Sequence, residues 1–203
     1  MSLLLLDNHD SFTWNLVELL RRTGKVKVNI LTPEQLKINE LEQFDRIIFS
    51  PGPGLPHEHP AMYEILNRVG QLHLEGRGSI PVLGVCLGMQ ALAVFYGGSL
   101  YNLTKVVHGQ PRKLKILHPD HPLFRGIGDE CEVGLYHSWA VDPATLPGCL
   151  ETLAITLHGT IMALAHKTLP VWGVQFHPES IMTTKGQQMI ENWLDEFIET
   201  SFL

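Results

Sequence analysis

The sequence predicts an α/β fold: a mostly parallel central sheet with helices on both faces, and a small antiparallel portion in the second half. Three observations predict it. Short, largely apolar runs such as Leu3-Leu4-Leu5-Leu6, Arg46-Ile47-Ile48-Phe49 and Pro81-Val82-Leu83-Gly84-Val85 resemble strands covered on both faces. Segments with apolar residues at helical spacing lie between them, and alternating strands and helices build parallel sheets. In the second half the pattern changes to period two, as in strands with one covered face.

Residues 3–6 form the first strand. After the polar stretch Asp7-Asn8-His9-Asp10-Ser11, Phe12, Leu16, Leu19 and Leu20 recur at helical spacing, and Gly24 is placed to close that helix. Residues 26–31 read as a second strand and Arg46–Phe49 as a third, followed at once by the loop Ser50-Pro51-Gly52-Pro53-Gly54-Leu55-Pro56. Met62, Ile65, Leu66, Val69 and Leu72 trace another amphipathic helix. Residues 81–85 are a fourth strand ending at Cys86, and Ala91, Leu92 and Phe95 mark the helix after it. Leu114 and Ile116 alternate with lysines. Residues 152–157 alternate as well, and His158-Gly159 separates them from residues 160–165 as a hairpin turn would. Residues 171–176 are a further strand, and Met189, Ile190, Trp193, Leu194 and Phe197 mark a closing helix.

The 203 residues are too many for a disulfide-stapled miniprotein and few for two full enzyme domains, so a single domain over 1–203 is expected. A net charge of −6 offers no electrostatic footprint for nucleic acid. Cys86, Cys131 and Cys149 are odd in number and irregularly spaced, which fits neither a zinc pattern nor a secreted disulfide framework; reduced thiols are the simplest reading. No apolar run approaches a membrane span, and the start lacks a basic leader and a cleavage site. The expectation is a cytoplasmic chain that binds neither membrane nor nucleic acid.

Gly84-Val85-Cys86-Leu87-Gly88 carries the most chemical information. It has the Gly-x-nucleophile-x-Gly form, between a buried strand and a helix, that a nucleophile elbow requires. The glycines relieve crowding in the turn, and the helix N-terminus favours the thiolate. A buried structural cysteine is the alternative, and it is the default for Cys131 and Cys149, which lack such surroundings. A thiolate nucleophile needs a base and a group to orient it. His177-Pro178-Glu179 ends a strand, at the same carboxyl edge of a parallel sheet as Cys86, and Glu179 can fix the imidazole tautomer. The glycines of the loop at Ser50–Gly54 allow close backbone approach; with the N–H of Leu87 they suit an oxyanion hole, although a rigid proline turn explains the loop equally well.

Pro51-Gly52-Pro53-Gly54, Gly84-Val85-Cys86-Leu87-Gly88-Met89-Gln90 and Gln175-Phe176-His177-Pro178-Glu179-Ser180 together resemble the class I, or triad, glutamine amidotransferases, from Leu4 to about Phe197. Asp7-Asn8-His9-Asp10-Ser11-Phe12-Thr13-Trp14-Asn15, Tyr136-His137-Ser138 and His177-Pro178-Glu179-Ser180-Ile181 resemble one branch of that class, the small glutaminase subunits of anthranilate synthase and aminodeoxychorismate synthase. The resemblance implies a flavodoxin-like sheet and hydrolysis of L-glutamine through a Cys86 thioester, with His177 and Glu179 completing the triad. It implies that Gly52, Gly54, Leu87, Gln90, Ser138 and Trp139 line the glutamine pocket. It also implies no cofactor or metal in this chain, Mg²⁺ belonging to the synthase, and a separate chorismate-binding synthase subunit that receives the ammonia; the chain is too short to hold that second site.

Trp14 and Val141-Asp142-Pro143 lean towards the folate (4-aminobenzoate) route over the tryptophan route. Three positions depart from the commonest pattern: Met89 where His is frequent, His108-Gly109-Gln110 in place of His-Gly-Lys, and Leu135 where Arg is usual. The first is expected to alter packing behind the elbow, and the other two lie in segments expected near the partner. Two further readings remain at this stage: another thiol-dependent amidase or peptidase-like hydrolase, and a non-catalytic flavodoxin-like binding module.

Overall fold

A computed structural model describes residues 1–197, with the side chains of residues 104–108 outside the description. Its elements, in chain order, are β1 (Ser2–Leu6), α1 (Thr13–Arg22), β2 (Lys27–Leu31), β3 (Arg46–Phe49), α2 (Pro60–Leu74), β4 (Val82–Val85), α3 (Leu87–Phe95), β5 (Leu100–Ile116), β6 (Glu130–Val141), β7 (Leu150–Thr156), β8 (Ile161–His166), β9 (Val171–Val174) and α4 (Gly186–Glu196). The strands form one sheet in the order β2-β1-β3-β4-β9-β8-β7-β5-β6. The five strands from β2 to β9 run parallel, and every pair from β9 to β6 is antiparallel.

The alternation of side chains along β1 sorts the core into two layers. Leu3 and Leu5 pack with Leu16, Val17 and Leu20 of α1 and with Met189, Ile190 and Trp193 of α4. Leu4 and Leu6 pack on the other face, with Met62, Ile65 and Val69 of α2 and with Met89 and Leu92 of α3. All four leucines of β1 are fully buried. At about 1.5–3 kcal/mol for each such side chain, this strand anchors the parallel half.

The predicted elements are present, with three differences. β9 stops at Val174, two residues short of the apolar run, although Gln175 N still bonds Met162 O at 2.8 Å and carries the chain straight on to His177. The lysine-alternating pair Leu114 and Ile116 is only the end of the long β5. β6 has no counterpart among the strands expected from the sequence. Its buried residues include Gly134 and the polar His137 as well as Val133 and Leu135, so its period-two signal is broken where it enters the site.

Candidate active site

Cys86 sits between the last residue of β4 and the first of α3 with φ 54° and ψ −101°, a backbone conformation that a side chain rarely adopts. The neighbouring glycines make the turn possible. A Cβ on Gly84 would lie 2.4 Å from the Gly88 carbonyl carbon, and one on Gly88 would lie 2.8 Å from Phe49 Cβ. Cys86 N bonds Val174 O at 2.8 Å, so the strained residue is pinned to β9.

β4 and β9 are parallel neighbours, with Val85 opposite Val174, so both chains leave the sheet at the same edge. Three residues past β9, His177 Nδ1 meets Glu179 Oε1 at 2.6 Å, and both side chains are buried. The His177 backbone is held as well: its N–H donates to Gly134 O at 3.1 Å, and its carbonyl accepts from Thr183 Oγ1 at 2.6 Å. The rings of Phe12 and Tyr136 pack edge-on against the imidazole at 5.5 and 4.9 Å. Burial alone would lower the His177 pKa. The Cys86 sulfur and the Glu179 carboxylate outweigh it and push the pKa up to about 10. Nε2 makes no conventional hydrogen bond, so its pull from Cys86 is that of a close sulfur rather than of a formed bond.

Beside this pair opens a cleft of about 450 Å³. Gly52, Gly54, Cys86, Leu87, Gln90, Ser138 and Trp139 all line it, so every residue expected in the pocket meets the nucleophile there. Gly52 lies so close that a Cβ would strike Leu87 Cδ2 at 2.6 Å and Asn8 Cβ at 2.8 Å. Buried Asn8 fixes that loop, its N–H bonding Ser50 Oγ at 2.9 Å and its Nδ2 bonding Ser50 O at 3.0 Å. The Asp-Asn opening thus acts as a brace for the glycine loop. A larger cleft, about 1120 Å³, lies at the amino ends of the strands, lined by Arg46, Pro81 and Pro170, and holds none of these groups.

Leu55, Glu58, Tyr136 and His137 also line the cleft; of these, Tyr136 and His137 stand in a motif of the resemblance, but none is assigned to the pocket by it. Gln175 opens one of the quoted motifs, but the motif gives it no role. It is fully buried, and its Nε2 lies 3.4 Å from Cys86 Sγ. Its place in the strand leading to His177 is the available signal. The departures resolve locally. Met89 is buried against β9, where a Cβ on Gly173 would lie 2.8 Å from Met89 Cγ, so it fills the space behind the elbow. Leu135 is a core residue, 2% exposed, packed in the layer that includes Val133 and Phe176; its side chain therefore offers no partner surface. Gln110 is exposed and accepts from Arg112 Nη2 at 2.6 Å, whereas the His108 side chain lies outside the described residues. Burial pushes the Cys131 thiol up to about 11, which makes it a poor nucleophile.

Among the described residues no helix is long and apolar enough to cross a membrane. The family model "Glutamine amidotransferase class-I" matches residues 4–197. A Haemophilus influenzae protein provisionally named anthranilate synthase component II is 44% identical over 194 residues, covering 96% of each chain. The Bacillus subtilis aminodeoxychorismate/anthranilate synthase component 2 is 37% identical over 197 residues, again covering 96% of each. Among solved structures, a Thermoplasma acidophilum protein provisionally described as a GMP synthase subunit superposes with a TM-score of 0.78 at 25% identity, covering 96% of this chain and 92% of that one.

Proposed function

The chain belongs to the class-I glutamine amidotransferases, and on that premise we propose that Cys86 is the nucleophile, His177 its acid–base partner and Glu179 the group that orients His177. It is the glutaminase component of a two-component synthase and supplies ammonia to the synthase component. One observation supports the catalytic reading above the rest. The strained Cys86 and the buried His177–Glu179 pair leave neighbouring parallel strands at one edge, beside the cleft.

The chemistry follows from the geometry. Glutamine enters the cleft with its side-chain carboxamide at Cys86 Sγ, and the thiolate attacks the carbonyl carbon. The charge that develops on the carbonyl oxygen is met by backbone donors of Leu87 and the Gly52 loop. His177, whose raised pKa keeps it protonated at neutral pH, gives the Nε2 proton to the departing nitrogen, and ammonia leaves. The imidazole, now neutral, takes a proton from water as the water attacks the glutamyl thioester. Glutamate is released, and the thiolate–imidazolium pair is restored. Glu179 acts on Nδ1 throughout, holding Nε2 towards the sulfur.

The partner is a synthase subunit that binds chorismate and places the ammonia to make aminodeoxychorismate or anthranilate. Exposed Trp14 and the Val141-Asp142-Pro143 segment favour the first product. The test is reconstitution with the synthase subunit. Cys86→Ser should abolish product formation from glutamine and leave formation from ammonium salts intact. Retained glutamine-dependent synthesis would contradict the reading, and the identity of the product decides the route.

A further inference from the structure

A chain of buried hydrogen bonds, separate from the His177–Glu179 pair, ends on the nucleophile sulfur. Gln175 Nε2 faces Cys86 Sγ at 3.4 Å, and Gln175 Oε1 faces Gln90 Nε2 at 3.1 Å. Gln90 Nε2 also lies 2.9 Å from the Trp139 carbonyl, which His137 Nδ1 approaches at 2.8 Å. Gln90 and His137 are each about 95% buried, and Gln175 wholly so.

The direction of every bond is fixed from one end. A backbone carbonyl only accepts, so Gln90 must turn its NH₂ group, and His137 its Nδ1–H, towards Trp139 O. With its NH₂ turned inward, Gln90 donates its second hydrogen to Gln175 Oε1, which leaves the Gln175 NH₂ facing the sulfur. Both amide hydrogens of Gln90 are thereby used, and what it retains for a ligand in the cleft is the acceptor Oε1. The same accounting puts a proton on His137 Nδ1, and burial, which lowers the pKa of this histidine, favours the neutral form.

We infer that Gln175 stabilises the Cys86 thiolate directly, and that Gln90 and the Trp139 carbonyl hold Gln175 in register with the substrate pocket. This rests on Cys86 being the nucleophile. A hydrogen bond to an ionised acceptor is stronger than one to a neutral acceptor, and the donor here is fully buried. Gln175 therefore acts twice in a turnover: on the attacking thiolate, and on the thiolate released when water cleaves the thioester. Its N–H remains on Gln175 in both steps, so proton transfer stays with His177.

Two variants test this in the complex with the synthase subunit. Gln175→Met removes the donor with little change in volume, and Gln175→Glu keeps an acceptor for Gln90 but places an oxygen against the sulfur. Both should lower kcat for glutamine by about tenfold or more while KM changes by less than about threefold. Both should also slow alkylation of Cys86 by iodoacetamide at neutral pH by about tenfold and move its pH profile to the alkaline side. An unchanged alkylation profile, or a loss confined to KM, would overturn the inference. In the wild-type protein, capping Cys86 as a methyl disulfide should shift the Gln175 side-chain amide resonances. Unmoved resonances would overturn it as well, whether or not the variants fold. If Cys86→Ser retains turnover, the nucleophile assignment fails; if only the Gln175 variants behave as wild type, this inference alone fails.

Discussion

His177 and Gly134 are joined by an isolated antiparallel bridge, with His177 N donating to Gly134 O. Gly134 lies on β6, at the far edge of the sheet from the parallel strands, so the bridge is no continuation of the ladder beside β9. The antiparallel half curls back until β6 closes over the carboxyl edge of β4 and β9. Residues 136–139 thereby become a wall of the cleft that holds Cys86. Thr183 clamps the junction, its Oγ1 accepting from Gly134 N at 3.0 Å and donating to His177 O.

Gly134→Ala should disturb this junction. The added Cβ would lie 2.6 Å from Ser180 Oγ and 3.2 Å from Met182 Cβ, so the segment carrying His177 must give way. A stability loss of about 1–3 kcal/mol is expected from overpacking. Displacement of His177 should also lower kcat by about 10²-fold. Urea denaturation and steady-state kinetics read the two effects separately.

Glu179→Gln removes the negative charge beside His177 while keeping a hydrogen-bond acceptor for Nδ1. Without the carboxylate the imidazolium is less favoured, so the His177 pKa falls from about 10. The acid form is needed to protonate the leaving nitrogen. The alkaline limb of the kcat/KM profile for glutamine should therefore move to lower pH, and activity at neutral pH should fall by about 10²-fold or more.

Gly84→Ala is expected to be the most damaging single methyl in the elbow. Its Cβ would meet backbone atoms of Gly88 and Met89 at 2.4–2.6 Å, and backbone cannot swing aside as a flexible side chain can. The loss should reach the top of the ~1–3 kcal/mol overpacking range or exceed it. Thermal denaturation should show this together with loss of thiol reactivity at Cys86.

Acid should weaken the fold through His121. Burial lowers its pKa to about 4, and its Nδ1 accepts from Leu123 N at 3.2 Å to cap a short 3-10 turn. A histidine with a depressed folded-state pKa contributes stability present above its unfolded pKa near 6.5 and lost as pH falls towards 4. The unfolded chain takes up the proton first, so stability falls with pH in that window. In His121→Gln the urea midpoint should drop less between pH 6.5 and pH 4 than in the wild type.

The parallel half is legible in the sequence because each strand there is covered on both faces and each helix on one. Periodicity then reports burial directly, as in Leu3–Leu6 or in Met62, Ile65 and Val69. Cys86 is legible because its strained turn excludes side chains at Gly84 and Gly88 and so leaves a spaced glycine signature. His177 and Glu179 follow from the strand-end rule. β6 is hidden because a strand that forms a pocket wall carries polar residues, His137 among them, where a core strand would be apolar. The role of Gln175, though not its place in a motif, is hidden for a related reason. That role depends on Gln90 and Trp139, which only the folded chain brings beside it.

The most direct measurement is peptide mapping by mass spectrometry after the glutaminase, with its synthase subunit, is treated with an alkylating analogue of glutamine. The account predicts one stoichiometric adduct on Cys86, formed in step with loss of glutaminase activity and blocked by excess glutamine, with Cys131 and Cys149 unmodified. Loss of activity with the label on another residue, or labelling of Cys86 that glutamine does not slow, would contradict it.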